Sequence, residues 1–177
     1  PENPVPTYGG PTSFLTESGP LDQKEIEQRA DVLVYTSEKL EKPIEVTGPV
    51  RVVLYAATNC RDTDWTAKLI DVYPDGRAYN LCDGIIRARY RTGRKKAKLL
   101  EPEKVYRYEI DLWATSNEFQ PGHRIRVEIS SSNFPRFDRN PNTGNKFGAD
   151  NKLRVAQQTV YHDEMRPSHI LLPVIAP

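Results

Sequence analysis

Three groups of side chains in this sequence have the types and spacing to do chemistry. Nucleophilic catalysis needs a Ser, Cys or Thr activated by a nearby base that is itself oriented. The bases on offer are His123, which follows a Pro-Gly pair, His162, beside Asp163 and Glu164, and His169, at the start of the last apolar run. No Gly-x-Ser-x-Gly elbow is present. Ser130, Ser131 and Ser132 fall at a predicted strand end, where hydroxyls bond to backbone. Histidines dispersed in this way read as structural, and no catalytic residue is assigned to the chain. The second group is Asp62, Asp64, Asp71 and Asp75, four carboxylates around one predicted hairpin, where oxygen-rich loops can hold Ca²⁺. The stretch 62–64 lacks the glycine and distal glutamate of an EF-hand loop, a turn explains Asp75, and capping and ion pairing explain the rest. No metal and no cofactor is expected. The third group is basic: residues 87–98 carry seven Arg or Lys. A nucleic-acid groove would interleave aromatics on the same face. Tyr90 instead alternates away from Arg87, Arg89 and Arg91, so a solvated face or a protein interface is expected.

The element that must position most of these groups spans residues 62–91. It reads as two antiparallel strands. In the first, Ala67, Leu69 and Asp71 alternate with Lys68, Ile70 and Val72, giving one apolar and one mixed face. Tyr73-Pro74-Asp75-Gly76 is a type I turn, with Pro74 supplying the required φ and Gly76 in the fourth position. The return strand ends in a period of two, with Ile86, Ala88 and Tyr90 opposite Arg87, Arg89 and Arg91. Gly84 sits mid-strand, which marks a bulge or a close backbone approach. Cys60 and Cys82 are the only cysteines; their placement allows a disulfide, and buried free thiols are the simpler expectation.

Elsewhere the pattern is of more strands. They are expected over residues 31–35, 43–50 (a connection or an edge strand), 51–57, 105–113, 123–130, 157–162 and 168–174. In 105–113, Tyr106, Tyr108, Ile110 and Leu112 share a face opposite Arg107, Glu109 and Asp111; in 123–130, Ile125, Val127 and Ile129 oppose Arg124, Arg126 and Glu128. Residues 21–29 could form a short helical turn. Residues 1–20, with five prolines and Gly9-Gly10, read as an extended linker, in which Phe14 and Leu15 are apolar residues without a local partner. With 177 residues, 15 prolines and 10 glycines, this is one domain of short strands, an antiparallel β-sandwich, and eight strands favour a jelly roll. The 25 basic and 24 acidic side chains nearly cancel, so nucleic acid and membrane are not expected partners. No apolar run is long enough to span a bilayer, and no signal segment precedes the first strand. The start at Pro1, in mid-linker fashion, suggests a piece of a larger protein of unassigned localisation. Trp65, Trp113 and nine tyrosines are potential sugar platforms, although Tyr106 and Tyr108 should be core. A self-standing carbohydrate-binding module is therefore the alternative reading, and it requires Trp65 or Trp113 exposed in a shallow groove.

Several motifs together carry a family resemblance: DVLVYTS (31–37), VTGPV (46–50), DTDWTAKLIDVYPDGR (62–77), CDGIIRARYR (82–91), PGHRIR (121–126) and SSSNFPRFDRN (130–140). The chain resembles the C-terminal domain of the cocaine esterase and X-Pro dipeptidyl-peptidase group of serine hydrolases, on its esterase and acylase branch. NPVPTYGG (3–10) is similar to that family's interdomain linker, and SHILLP (168–173) to its C-terminal end. The resemblance implies a galactose-binding-domain-like jelly roll over 21–177, preceded by a linker, 1–20, from an α/β-hydrolase domain that carries Ser, Asp and His. The triad precedes the linker, so none of it falls in this chain; His123 and His169 match jelly-roll motifs. The implied role is architectural, buttressing the catalytic domain and helping to wall the acyl pocket through Ser13, Phe14 and Leu15. The α/β-hydrolase domain of the same protein is the implied partner, and exposed sheet edges also allow homo-oligomers.

Overall fold

The computed structural model describes residues 2–10, 17–93, 95–146, 148–149 and 151–176. Among them are eight strands: β1 (Leu33–Thr36), β2 (Ile44–Thr58), β3 (Asp64–Val72), β4 (Ala78–Arg87), β5 (Tyr106–Phe119), β6 (Arg124–Ser130), β7 (Gln158–Tyr161) and β8 (His169–Leu171). The one α-helical turn, α1 (Lys24–Glu27), lies where a short turn was expected. Among the described residues no helix is long and apolar enough to cross a membrane.

All strand pairs are antiparallel. One sheet has the order β1-β6-β3-β4; the other is β5-β2-β7, with β8 pairing further along β2. The two pack face to face as a jelly-roll sandwich. Inward residues of alternating strands, among them Trp65, Ala67 and Leu69 of β3, Val52 and Leu54 of β2, and Tyr108, Ile110 and Leu112 of β5, form one continuous core. Each large apolar side chain buried there contributes roughly 1.5–3 kcal/mol. The hairpin turn forms as the Pro-Asp-Gly chemistry predicts, with the Gly76 N–H donating to Tyr73 O at 2.9 Å.

Four features depart from or refine the sequence pattern. Segments 43–50 and 51–57 are a single strand, β2, that passes through Gly48-Pro49 without a break. β5 runs on to Phe119, past the expected end at Trp113. The return strand of the hairpin stops at Arg87, and Ala88–Tyr90 is a 3-10 turn, so the two-residue alternation does not extend to Arg91. Finally, the mixed face of β3 is not solvated. All nine residues of β3 are buried, because β3 is flanked by β4 and β6, its inner face meets the second sheet, and its outer face lies beneath the N-terminal segment.

Candidate functional site

The N-terminal segment is seated by the loop that follows β6. The Val5 N–H donates to Ser132 Oγ at 2.8 Å, Phe134 N–H to Val5 O at 3.0 Å, and Thr7 Oγ1 to Asn133 O at 3.0 Å. Val5 packs with Ile26 and Val32 in a small apolar cluster of its own. Gln23 then ties this segment to the sheet. Its Nε2 donates to Tyr8 O, Leu21 O and Asn80 Oδ1, while its Oε1 accepts from Lys68 Nζ at 2.8 Å. Lys68 also faces Glu128 at 3.4 Å, both side chains buried. A buried ammonium requires such partners, since desolvation would otherwise neutralise it. Burial pushes the Glu128 carboxyl up to about 7, against the pull of Lys68. Nothing in the local pattern marked Gln23 as a hub; its partners lie up to 57 residues away.

At the end of this seat Gly10 and Gly19 pair through N–H···O bonds of 2.7 and 3.0 Å and form a neck. The neck is tight. Gly9 has φ +72°, and a Cβ on it would stand 2.6 Å from Asn80 Oδ1 and from Gly19 O. The predicted pocket residues Ser13, Phe14 and Leu15 lie between the two ends of this neck, outside the described residues. The neck opens onto a cleft of about 660 Å³ along the seam between β4 and β5, lined by Gly10, Gly19, Pro20, Leu81, Trp113 and Ala114 among others. At its wall Asp83 is ion-paired with Arg136 and accepts from Asn133 Nδ2 at 2.7 Å.

The remaining candidate groups are drawn into structural pairs. Arg87 grips Asp64 with two bonds of 2.9 Å, Arg89 reaches Asp62 at 2.7 Å, and Asn140 Nδ2 bridges both carboxylates at 3.0 and 2.8 Å. This corrects the reading of the basic stretch as a solvated face or interface as far as Arg87 and Arg89 are concerned. Both turn inward because Asp62 and Asp64 are buried and their charge must be compensated. His123 donates from Nδ1 to Asp71 Oδ1 at 2.8 Å, and its ring packs on Tyr73 with centroids 4.3 Å apart. Asp75 is taken by Arg77 at 2.7 Å. His169 bonds to Pro167 O, and His162 meets Tyr35 edge to face. Among the described residues no histidine bonds to a Ser, Cys or Thr side chain, and no group of three or more His, Cys, Asp or Glu is placed to hold a metal ion. Cys60 and Cys82 are buried free thiols. Trp65 is buried in the core, whereas Trp113 is exposed at the cleft.

Residues 6–171 match the family model described as the X-Pro dipeptidyl-peptidase C-terminal non-catalytic domain. The chain belongs to this family. It is 48% identical over 178 residues to the cocaine esterase of Rhodococcus sp. (strain MB1 Bresler), an alignment covering 99% of this chain and 31% of that protein. Among solved structures, an aminopeptidase from the marine sediment archaeon Thaumarchaeota archaeon superposes with a TM-score of 0.89 at 39% identity, over 98% of this chain and 32% of the other. An α-amino acid ester hydrolase superposes with a TM-score of 0.88 at 34% identity, over 98% of this chain and 31% of the other. The chain thus spans about a third of the length of these relatives. The family match accounts for a jelly roll with no catalytic constellation of its own among the described residues.

Proposed function

We propose that this chain is the C-terminal domain of a serine ester or amide hydrolase, that it buttresses an α/β-hydrolase domain of the same protein, and that it lends residues to the wall of the acyl pocket. In this reading the parent works through an acyl-enzyme, with its nucleophile, base and oxyanion donors all outside the chain. Residues 1–20 are the linker from the catalytic domain, and Ser13, Phe14 and Leu15 are its contribution to the pocket.

The observation that carries the reading is the neck at Gly10 and Gly19. A rigid seat, built by Gln23, Ser132 and Asn133, holds the segment up to Gly10, and the chain resumes at Gly19 on the same spot of the sandwich. Gly10 and Gly19 are thereby fixed at one point of the sandwich, and a wall element needs such an anchor. The relatives, an esterase, an ester hydrolase and an aminopeptidase, support acyl transfer as the reaction class.

The test is kinetic. The isolated chain should hydrolyse no p-nitrophenyl ester or amino-acid anilide, while the full-length parent should hydrolyse at least one class. Phe14→Ala and Leu15→Ala in the parent should shift preference among acyl groups through KM with little change in kcat for the smallest acyl group. Hydrolysis by the isolated chain, or acyl preference untouched by both substitutions, would sink the proposal.

A further inference from the structure

Trp113 breaks two local rules at once. Its φ is +67° in the middle of β5, a region that bulky L residues enter only under constraint. The residue is 72% exposed, so it gains little burial to offset that conformation.

The cause is a β-bulge. Along β2 and β5, Pro49 pairs with Ala114 and Arg51 with Asp111, so the single residue Val50 faces both Leu112 and Trp113. The extra residue reverses the phase of the strand. Before it Tyr108, Ile110 and Leu112 are buried; after it the inward positions are Thr115, Asn117 and Phe119. The Trp113 N–H is held at 2.9 Å by the carboxylate of Asp111, and the Asp111 carbonyl presses on the backbone of Gly84 across the seam. Bulges re-aim side chains, and this one turns an indole out of the sandwich to the edge of the β4–β5 cleft.

We propose that Trp113 and the cleft it borders are the docking surface for the rest of the parent hydrolase, with the indole as the anchor that enters an apolar pocket on the catalytic part. The proposal rests on the reading of the chain as a C-terminal domain, and three observations favour this occupant. The cleft wall includes Gly10, Gly19 and Pro20, the described ends of the stretch proposed above as part of the acyl-pocket wall, so on that reading the catalytic part lies within reach of this seam. Polar groups at the cleft are committed to the fold in two cases: the Asp83 carboxylate to Arg136 and Asn133, and Asn80 Oδ1 to the Leu21 N–H and Gln23. A sugar would need such groups free, whereas an apolar protein surface does not. Tryptophan is also enriched among the few residues that dominate binding at protein interfaces.

Hydroxyl-radical footprinting of the isolated chain and of the full-length parent tests this. Trp113 should be oxidised readily in the isolated chain and several-fold less in the parent, with Trp65 protected in both. Equal oxidation of Trp113 in the two would overturn the docking surface, even if the parent proves to be a hydrolase. A parent that hydrolyses nothing would instead remove the reading beneath it, whatever the footprint. Trp113→Gly supplies an independent sign: it should raise the Tm of the isolated chain, where glycine accepts the left-handed φ, and lower that of the parent. A lower Tm in both would make Trp113 a folding residue and overturn the inference. Saturable quenching of the isolated chain's fluorescence by oligosaccharides, absent in Trp113→Gly, would overturn it in favour of a sugar site.

Discussion

Gly84 of β4 lies against the Asp111 carbonyl of β5: a Cβ built on the glycine would stand 1.9 Å from that oxygen and 2.8 Å from its carbon. The obstacle is backbone on both sides, so no side chain can rotate away to relieve it. Gly84→Ala should therefore push the edges of the two sheets apart and cost about 3 kcal/mol or more, at the high end for overpacking. Urea denaturation of the isolated chain reads this directly. A loss of a few tenths would mean that the seam is loose.

The buried pair on the outer face of the first sheet predicts an unusual pH dependence. Burial raises the Glu128 carboxyl from the ordinary 4.5 to about 7, the nearby Glu27 charge adds to the rise, and Lys68 and Arg126 oppose it. The folded chain then binds this proton more strongly than the unfolded one. Its contribution to stability is fully present below 4.5 and is lost as pH rises toward 7. Glu128→Gln should flatten that slope, as read from denaturant midpoints across the window. A slope unchanged in the variant would assign it to other groups.

Arg87 holds Asp64 through a bidentate pair whose carboxylate is buried. Arg87→Ala leaves that charge uncompensated and should cost about 3 kcal/mol. Because Asn140 Nδ2 also bonds to Asp64, amides around residues 138–142 should exchange faster in the variant. Arg87→Lys should recover only part of the loss, since an ammonium lacks the two-pronged fit.

The thiols should be inert in the native chain. Burial, helped by the charge of Asp83, pushes Cys82 up to about 12, and burial also raises Cys60. Thiolate is the reactive form, so a thiol-specific reagent at mildly alkaline pH should react slowly with the folded chain and rapidly at both sites in denaturant. One fast native thiol would contradict this burial.

Much of the architecture was legible from local pattern. The inward alternation of 105–113, the Pro-Asp-Gly turn and the mid-strand Gly84 follow from side-chain period, φ preference and the absence of a Cβ, which act over a few residues. The family motifs likewise carried the family whose model residues 6–171 match. Chains of two-residue alternation cannot, however, show where a strand changes phase. The pattern ran through Arg91, while the backbone leaves the sheet after Arg87; it ended a strand at Trp113, where β5 bulges and continues to Phe119.

What the sequence determined by itself was therefore the set of strands, most of their inward faces and the family. Tertiary structure decided what covers the mixed face of β3, which carboxylates meet Arg87 and Arg89, and why one tryptophan is core and the other stands at a cleft. Those outcomes depend on register and on contacts such as Lys68 with Gln23, 45 residues apart, and Val5 with Ser132, 127 apart. Alternation says only that a side chain leaves one face of a strand; whether that face meets water, a second sheet or the chain's own N-terminal segment is settled when the layers close.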